Sequence, residues 1–175
     1  MKIKLIAAVA LNNAIGGEDG KIPWDFHPED MKLFSGKTKS EGGVVVMGRK
    51  TFLSLPEKFR PLPGRTNIIL TRNEDWRYQG VEVYTSKEAL LQGLQNRGIE
   101  SVWICGGGEI YQQFIDVADE LHLSRFNITP ESAVAFFPKF DHTLWEEIES
   151  KVYAGHAGSP EFTHTVYRKV IPSMI

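Results

Sequence analysis

The sequence predicts an α/β fold with a mostly parallel sheet covered by helices on both faces. Three observations carry this. Short apolar runs rich in Val, Ile and Leu recur at residues 3–10, 44–47, 67–70, 81–84, 102–105 and 121–123. Segments with helical spacing of apolar residues lie between them, and the Gly/Pro-rich connections are short enough to be loops. Near-continuous apolar strands, unlike alternating ones, are what a sheet buried on both faces requires.

The first run, 3–10, is too short to span a membrane and lacks a cleavage region, so it reads as a buried strand. Helices are predicted at 29–35, 50–55, 86–97 and 109–118. Thr85 and Glu88 stand at capping-box spacing for the third, which ends before Gly98. The tail differs. Strands at 145–153 and 162–170, joined by Ala154-Gly155-His156-Ala157-Gly158-Ser159-Pro160, suggest a closing antiparallel hairpin with a long loop. With 175 residues and no internal repeat, one domain over 1–175 is expected.

A net charge of -2, with 42% hydrophobic and 24% charged residues, excludes the basic excess that binding a nucleic-acid backbone requires. The single cysteine, Cys105, cannot form an internal disulfide or a multi-cysteine metal site. It fits a reducing compartment, and a cytoplasmic location away from membranes is expected. The five histidines are scattered, without ligand-like pairs, so no metal is predicted.

The residue that asks for a function is Asp30. A helix through Pro28-Glu29-Asp30-Met31-Lys32-Leu33-Phe34 turns its carboxylate toward Met31, Leu33 and Phe34, while Glu29 and Lys32 face water. Pro28 at the first helical position and acids in the first turn also make an ordinary helix start, so Asp30 alone decides nothing. Three turns add weight. Cys105-Gly106-Gly107-Gly108-Glu109 joins a strand to a helix through backbone that can approach phosphates closely, although it is not G-x-G-x-x-G and glycine also suits a tight turn. Met47-Gly48-Arg49-Lys50-Thr51 puts two cations and a hydroxyl at a helix start, where cations need a compensating anion. Arg60-Pro61-Leu62-Pro63-Gly64-Arg65 is a stiff turn whose Arg65 has a donor fork suited to a carboxylate.

Taken in order, Ala7-Ala8, Ile15-Gly16, Pro23-Trp24, Pro28-Glu29-Asp30, Met47 to Thr51, Pro61 to Arg65 and Gly106 to Gly108 closely resemble the dihydrofolate reductase family. Each motif is weak alone. Their ordered combination is specific and covers most of the chain. The resemblance implies an eight-stranded, mostly parallel sheet with an antiparallel C-terminal strand and about four flanking helices. It also implies reduction of 7,8-dihydrofolate to tetrahydrofolate with NADPH, in support of one-carbon metabolism, by a monomer whose pocket also takes antifolates.

By that resemblance, Asp30 bonds the pterin's 2-amino group and a ring nitrogen and helps supply the proton at N5, with Ser124 supporting it and Trp24 ordering water. The substrate is expected against Ile6, Ala7, Met31, Phe34, Leu55, Leu62, Cys105 and Ser124, its glutamate carboxylate on Arg65. For NADPH the resemblance implies Gly106, Gly107 and Gly108, with Gly48, Arg49, Lys50 and Thr51 at the phosphates and Arg72, after Leu70 and Thr71, at the 2′-phosphate. Ala8, Ile15, Gly16, Ile22, Cys105, Glu109, Ile110 and Tyr111 complete the cofactor site. It further implies a cis peptide at Gly106-Gly107 and a mobile lid over residues 15–24.

Two departures stand out. Val134, in Ser132-Ala133-Val134-Ala135-Phe136-Phe137-Pro138, occupies a stretch where the family commonly has an acid and a threonine, which leaves lid closure to other groups or the closed state less populated. Glu109 puts negative charge where some relatives carry a cation; it can cap its helix and weaken phosphate binding. Cys105 reads as a small hydrophobe, not a nucleophile. Two rival readings compete with this one. A pyrimidine reductase of the riboflavin pathway is disfavoured by Asp30 and Arg65. A silent binding module rests only on the altered 132–136 segment.

Overall fold

The structure is a computed structural model that describes residues 1–16, 22 and 24–170. Its main sheet contains β1 (Lys2–Ala10), β3 (Val44–Gly48), β4 (Thr66–Leu70), β5 (Val81–Tyr84), β6 (Ser101–Ile104), β7 (Glu120–Phe126), β9 (Trp145–Tyr153) and β10 (Phe162–Lys169). Their spatial order is β5-β4-β3-β6-β1-β7-β10-β9. The first six are parallel, and β10 runs antiparallel to both β7 and β9. The predicted strands and the closing hairpin are therefore all present.

Strand alternation divides the core between the two faces of the sheet. Leu5, Ala7 and Val9 of β1 join Val46, Ile104 and Leu121 in one cluster, packed by Leu90 and Leu94 of α3 (Lys87–Asn96) and Phe114 of α4 (Gly108–Phe114). Ile6 faces the other way, with Val45, Met47, Ile69 and Trp103. That second cluster is covered by Phe34 of α1 (Pro28–Lys39) and Phe52 of α2 (Arg49–Ser54). A ligand at the carboxyl ends of β1, β3 and β6 thus meets α1 on one side of the sheet and α4 on the other, the usual place for a site in an open α/β sheet.

Several boundaries differ from expectation. Helix α1 continues four residues past Ser35, because Thr38 is fully buried and its hydroxyl donates to Phe34 O at 2.6 Å. Ser86, not Thr85, caps α3 by accepting from the Ala89 amide at 3.1 Å, which puts Glu88 one place too early for a capping box. Helix α4 ends at Phe114 instead of Ala118 because the chain must turn to bring Asp119 to the start of β1. There the Asp119 side chain accepts from Ile3 N at 2.8 Å and its amide donates to Ile3 O at 2.7 Å.

A small second sheet was not predicted: β2 (Ala14–Gly16) pairs with β8 (Ala135–Phe136). Strands of two and three residues carry no periodicity to read. Among the described residues no helix is long and apolar enough to cross a membrane.

Candidate active site

Pro28 begins α1 with its φ preset for a helix, and His27 caps it by accepting the Glu29 amide on Nδ1 at 3.1 Å. Its Nε2 contacts Ala154 O at 2.7 Å, so the ring donates there and His27 ties the helix start to the β9–β10 loop. Asp30 follows on the helix face turned to the sheet, half-buried, with Leu33 and Phe34 also half-buried. Glu29 and Lys32 face solvent, 3.5 Å apart. Burial pushes the Asp30 carboxyl up to about 6, against opposing pulls from a Ser124 hydrogen bond and the nearby His27 ring. Such a group is mostly ionised at neutral pH yet easily protonated, as proton-transfer chemistry needs.

Ile6, Leu62, Phe34, Leu55 and Cys105 belong to one packed cluster, while Ala7 and Ala8 lie on the adjoining stretch of β1. Met31 lies outside that cluster and is 42% exposed. Arg65 is held before any ligand arrives: its guanidinium donates to Thr38 Oγ1 at 2.9 Å and Pro63 O at 3.0 Å and lies 5.8 Å from the Phe34 ring. The turn before it is fixed by Asn67, whose side chain bonds the backbone of Leu62 in both directions, at 2.8 and 2.9 Å. Arg60-Pro61 is cis.

Ser124 lies in β7 opposite Ala8, buried, on the face toward α1. Of its two contacts, the one to His164 Nδ1 has full hydrogen-bond geometry at 2.9 Å, and the one to Asp30 is looser. Trp24 is buried near Ala8, Ile22 and Leu33 and packs tilted against Phe126, with ring centroids 4.8 Å apart. Its indole N–H has no partner among the described residues, so a ligand or ordered water can accept from it.

On the cofactor side, the Gly106-Gly107 peptide is cis, as the resemblance implied. Side chains are excluded from this run. A Cβ on Gly106, whose φ is +115°, would meet the Tyr111 ring at 3.2 to 3.3 Å, and one on Gly107 would stand 3.0 Å from Thr51 Oγ1. The bare backbone is therefore a cradle, fixed by Gly48 N donating to Gly106 O at 2.8 Å and by Tyr111 donating to Ile6 O at 2.6 Å. Helices α2 and α4 both begin beside it without a side-chain cap. Arg49, half-buried, and Lys50, exposed, have no acidic partner among the described residues. This combination fits a phosphate-bearing ligand.

Leu70, Ile110 and Tyr111 are buried under the cradle with Ile15 packed against them, and Thr71 accepts from the Asn73 amide. Arg72 is exposed and paired with Glu109 Oε1 at 2.6 Å. Glu109 does not cap α4, since Gly107 holds that position and Glu109 reaches outward to Arg72. Cys105 behaves as a small hydrophobe: burial raises its thiol to about 12, and its Sγ contacts Trp103 O at 3.6 Å.

Of the predicted lid, Gly17, Gly20 and Pro23 lie outside the described residues, whereas Ile15, Gly16, Ile22 and Trp24 lie within them. Its base is held by backbone. The Val134 amide donates to Gly16 O at 3.1 Å while its side chain points to solvent, and Phe137 N donates to Asn13 O at 2.8 Å. Arg125 clamps the same turn through Ala10 O at 2.9 Å and Asn13 Oδ1 at 2.8 Å. Sequence reasoning missed Arg125, His27 and His164. A polar residue between apolar ones on the same strand face, as in Phe162-Thr163-His164-Thr165-Val166, was the one available signal for the last.

The family model described as dihydrofolate reductase matches residues 2–169. A "Dihydrofolate reductase type 3" of Salmonella typhimurium is 40% identical over 153 residues, covering 87% of this chain and 88% of its own length. A dihydrofolate reductase of Neisseria meningitidis is 42% identical over 149 residues, covering 85% and 86% respectively. Among solved structures, a dihydrofolate reductase from Enterococcus faecalis complexed with NADP(H) and RAB-propyl superposes with a TM-score of 0.82 at 29% identity, covering 97% of each chain. With these matches added to an acid-bearing helix and a glycine cradle on opposite faces of one sheet, the chain belongs to the dihydrofolate reductase family.

Proposed function

We propose that the protein reduces 7,8-dihydrofolate to 5,6,7,8-tetrahydrofolate with NADPH, as a single domain acting as a monomer. The observation that carries this reading is Asp30, an acid on the apolar wall whose carboxyl stands at about 6. At neutral pH it is ionised about ten to one, so it accepts hydrogen bonds from the pterin's 2-amino group and ring N–H. The same readiness to protonate lets it aid delivery of a proton to N5, directly or through water near Trp24. Phe34, Leu55, Leu62 and Ile6 exclude bulk water around the pterin and benzoyl groups, and Arg65 takes the glutamate carboxylate. NADPH, when bound, supplies the hydride to C6.

The cradle at Gly106 to Gly108 receives the cofactor's backbone-accessible phosphates, with Arg49, Lys50 and Thr51 beside it and Arg72 for the 2′-phosphate. Antifolates that mimic the pterin's amino-substituted edge compete for Asp30. The charged edge of β9, with Glu146, Glu147, Glu149 and Lys151 exposed, discourages edge-to-edge pairing and supports the monomer. A reducing cytoplasm suits the single thiol.

The test follows NADPH absorbance with dihydrofolate, with NADH and Asp30→Asn in parallel. Turnover that requires dihydrofolate, prefers NADPH and falls about 100-fold or more in the variant at neutral pH is expected, with a smaller loss at low pH where solvent protonates the substrate. Equal losses at every pH would assign Asp30 to positioning alone. Absence of turnover despite binding of both ligands would overturn the reading.

A further inference from the structure

Helix α1 lays three side chains over the sheet at helical spacing, Asp30, Phe34 and Lys37. Asp30 contacts Ser124, and Lys37 Nζ lies 2.9 Å from His122 Nδ1, where Ser124 and His122 are alternate residues on one face of β7. The neighbouring strand β10 places His164 directly opposite Ser124, and the two histidine rings are 6.4 Å apart. Strand pairing thus gathers two of the scattered histidines under the acid. Ser124 and His164 are both only 3% exposed.

A serine hydroxyl has one proton to donate, and two groups compete for it here. If His164 carries its proton on Nε2, then Nδ1 is an acceptor, Ser124 donates to the ring, and Asp30 loses its donor. If the proton is on Nδ1, the ring donates to Ser124 Oγ and the hydroxyl proton is free for Asp30. The surroundings choose between these forms. His164 Nε2 is buried with no partner among the described residues, and an orphaned N–H is less tolerable than an unused lone pair. The neighbouring His122 does not supply a proton on that side, since the Lys37 ammonium only donates, which makes His122 Nδ1 an acceptor and leaves its proton on Nε2, 3.5 Å from Glu120 Oε1 and without a hydrogen-bond partner among the described residues.

We propose that His164 is a positioning residue for Asp30: in its Nδ1–H form it donates to Ser124 Oγ and commits the serine's single proton to the Asp30 carboxylate. The proposal rests on the reading of Asp30 as the substrate-holding acid. The charged and titratable groups packed around His164 are Asp30 and Lys37 of α1, His122 of β7 and Lys151 and Glu149 of β9. Burial and the Lys37 charge lower the His164 pKa to about 4, so the ring stays neutral and its tautomer, not its charge, sets the arrangement.

The first arm of the test is nitrogen-15 NMR of the ligand-free wild-type protein. An Nδ1–H tautomer at His164 is expected, and an Nε2–H tautomer overturns the proposal. The second arm reads the Asp30 carboxyl pKa by NMR and the acid limb of kcat/KM in His164→Phe, His164→Asn and the same substitutions in a Ser124→Ala background. His164→Phe, which keeps volume but cannot donate, is expected to raise both by about 0.5 to 1 pH unit. His164→Asn, with an amide donor, should recover most of the shift, and neither change should matter without Ser124. A downward shift, or one that persists in Ser124→Ala, would overturn it. Neither NMR readout needs turnover, so a failed dihydrofolate assay would sink the proposed activity and leave this result standing.

Discussion

The Asp30 carboxyl carries an energetic penalty that its neighbours do not remove. Its folded pKa is raised from 3.8 to about 6, so the native state binds a proton more tightly than the unfolded chain does. The sign follows: this group costs nothing below pH 3.8, and its cost grows as pH rises through 6, reaching about 1 to 3 kcal/mol at neutral pH. Asp30→Asn is therefore expected to raise Tm by a few degrees at pH 7.5 and to lose that advantage below about pH 4, while activity collapses. Calorimetry of both proteins across that range checks it; a variant less stable at pH 7.5 would mean that Asp30 is compensated in the native state. Glu109 poses a different question, because it holds Arg72, the cation proposed for the 2′-phosphate, at 2.6 Å. The pair is exposed and weak, so freeing Arg72 by Glu109→Gln should tighten NADPH about two- to fivefold and leave NADH unchanged, as read by fluorescence titration. Equal tightening of both cofactors would place Arg72 away from that phosphate.

Strong local signals survived folding at the element scale, and short or tertiary ones did not appear until the chain was folded. Pro28 and the acids behind it mark α1, yet where that helix ends is decided by the burial of Thr38. Adjacent hydroxyls at Thr85 and Ser86 made two caps possible, and the α3 backbone chose Ser86. The β2–β8 pair is invisible in sequence because so few residues form it. Beside it the Val134 amide donates to Gly16 O, a main-chain tie at the base of the segment expected to form a lid. Arg125 holds the same turn through two short hydrogen bonds. Arg125→Met should cost about 1 to 3 kcal/mol and speed hydrogen exchange at the Val134 and Phe137 amides, leaving core strand β6 protected. Unchanged exchange at those two amides would show that the turn does not depend on the clamp.

For the whole molecule, stability in acid is set by opposing buried groups. His164 and His122 have pKa values far below that of an exposed histidine, displaced by burial and by Lys37 among the nearby charges. Both stay neutral in the fold between about pH 4 and 6, where the unfolded chain would protonate them, so they make stability fall as pH falls. Asp30 works in the opposite sense across the same window. Two protons against one leave a net slope of about 1.4 kcal/mol per pH unit. Urea unfolding at several pH values from 4 to 6.5 should give that slope, and a nearly flat profile in His164→Phe, where one proton balances one; stability that rises as pH falls in the wild type would mean that both histidines are protonated in the native protein.

The sequence by itself determined the strands, the helix starts, the glycine cradle and the acid at position 30, because these are written locally in apolar periodicity, turn chemistry and residue type. Order along the chain then sufficed to identify the family. Only the tertiary structure decided what Ser124 bonds to, that Glu109 reaches Arg72 instead of its helix, and that Met31 is exposed. It also decided that His122 and His164, 42 positions apart in the chain, lie together beneath Asp30. The physical reason is the same in each case. Hydrogen-bond partners and burial depend on strand register between distant segments, and one residue of slip would turn His164 to the opposite face of the sheet.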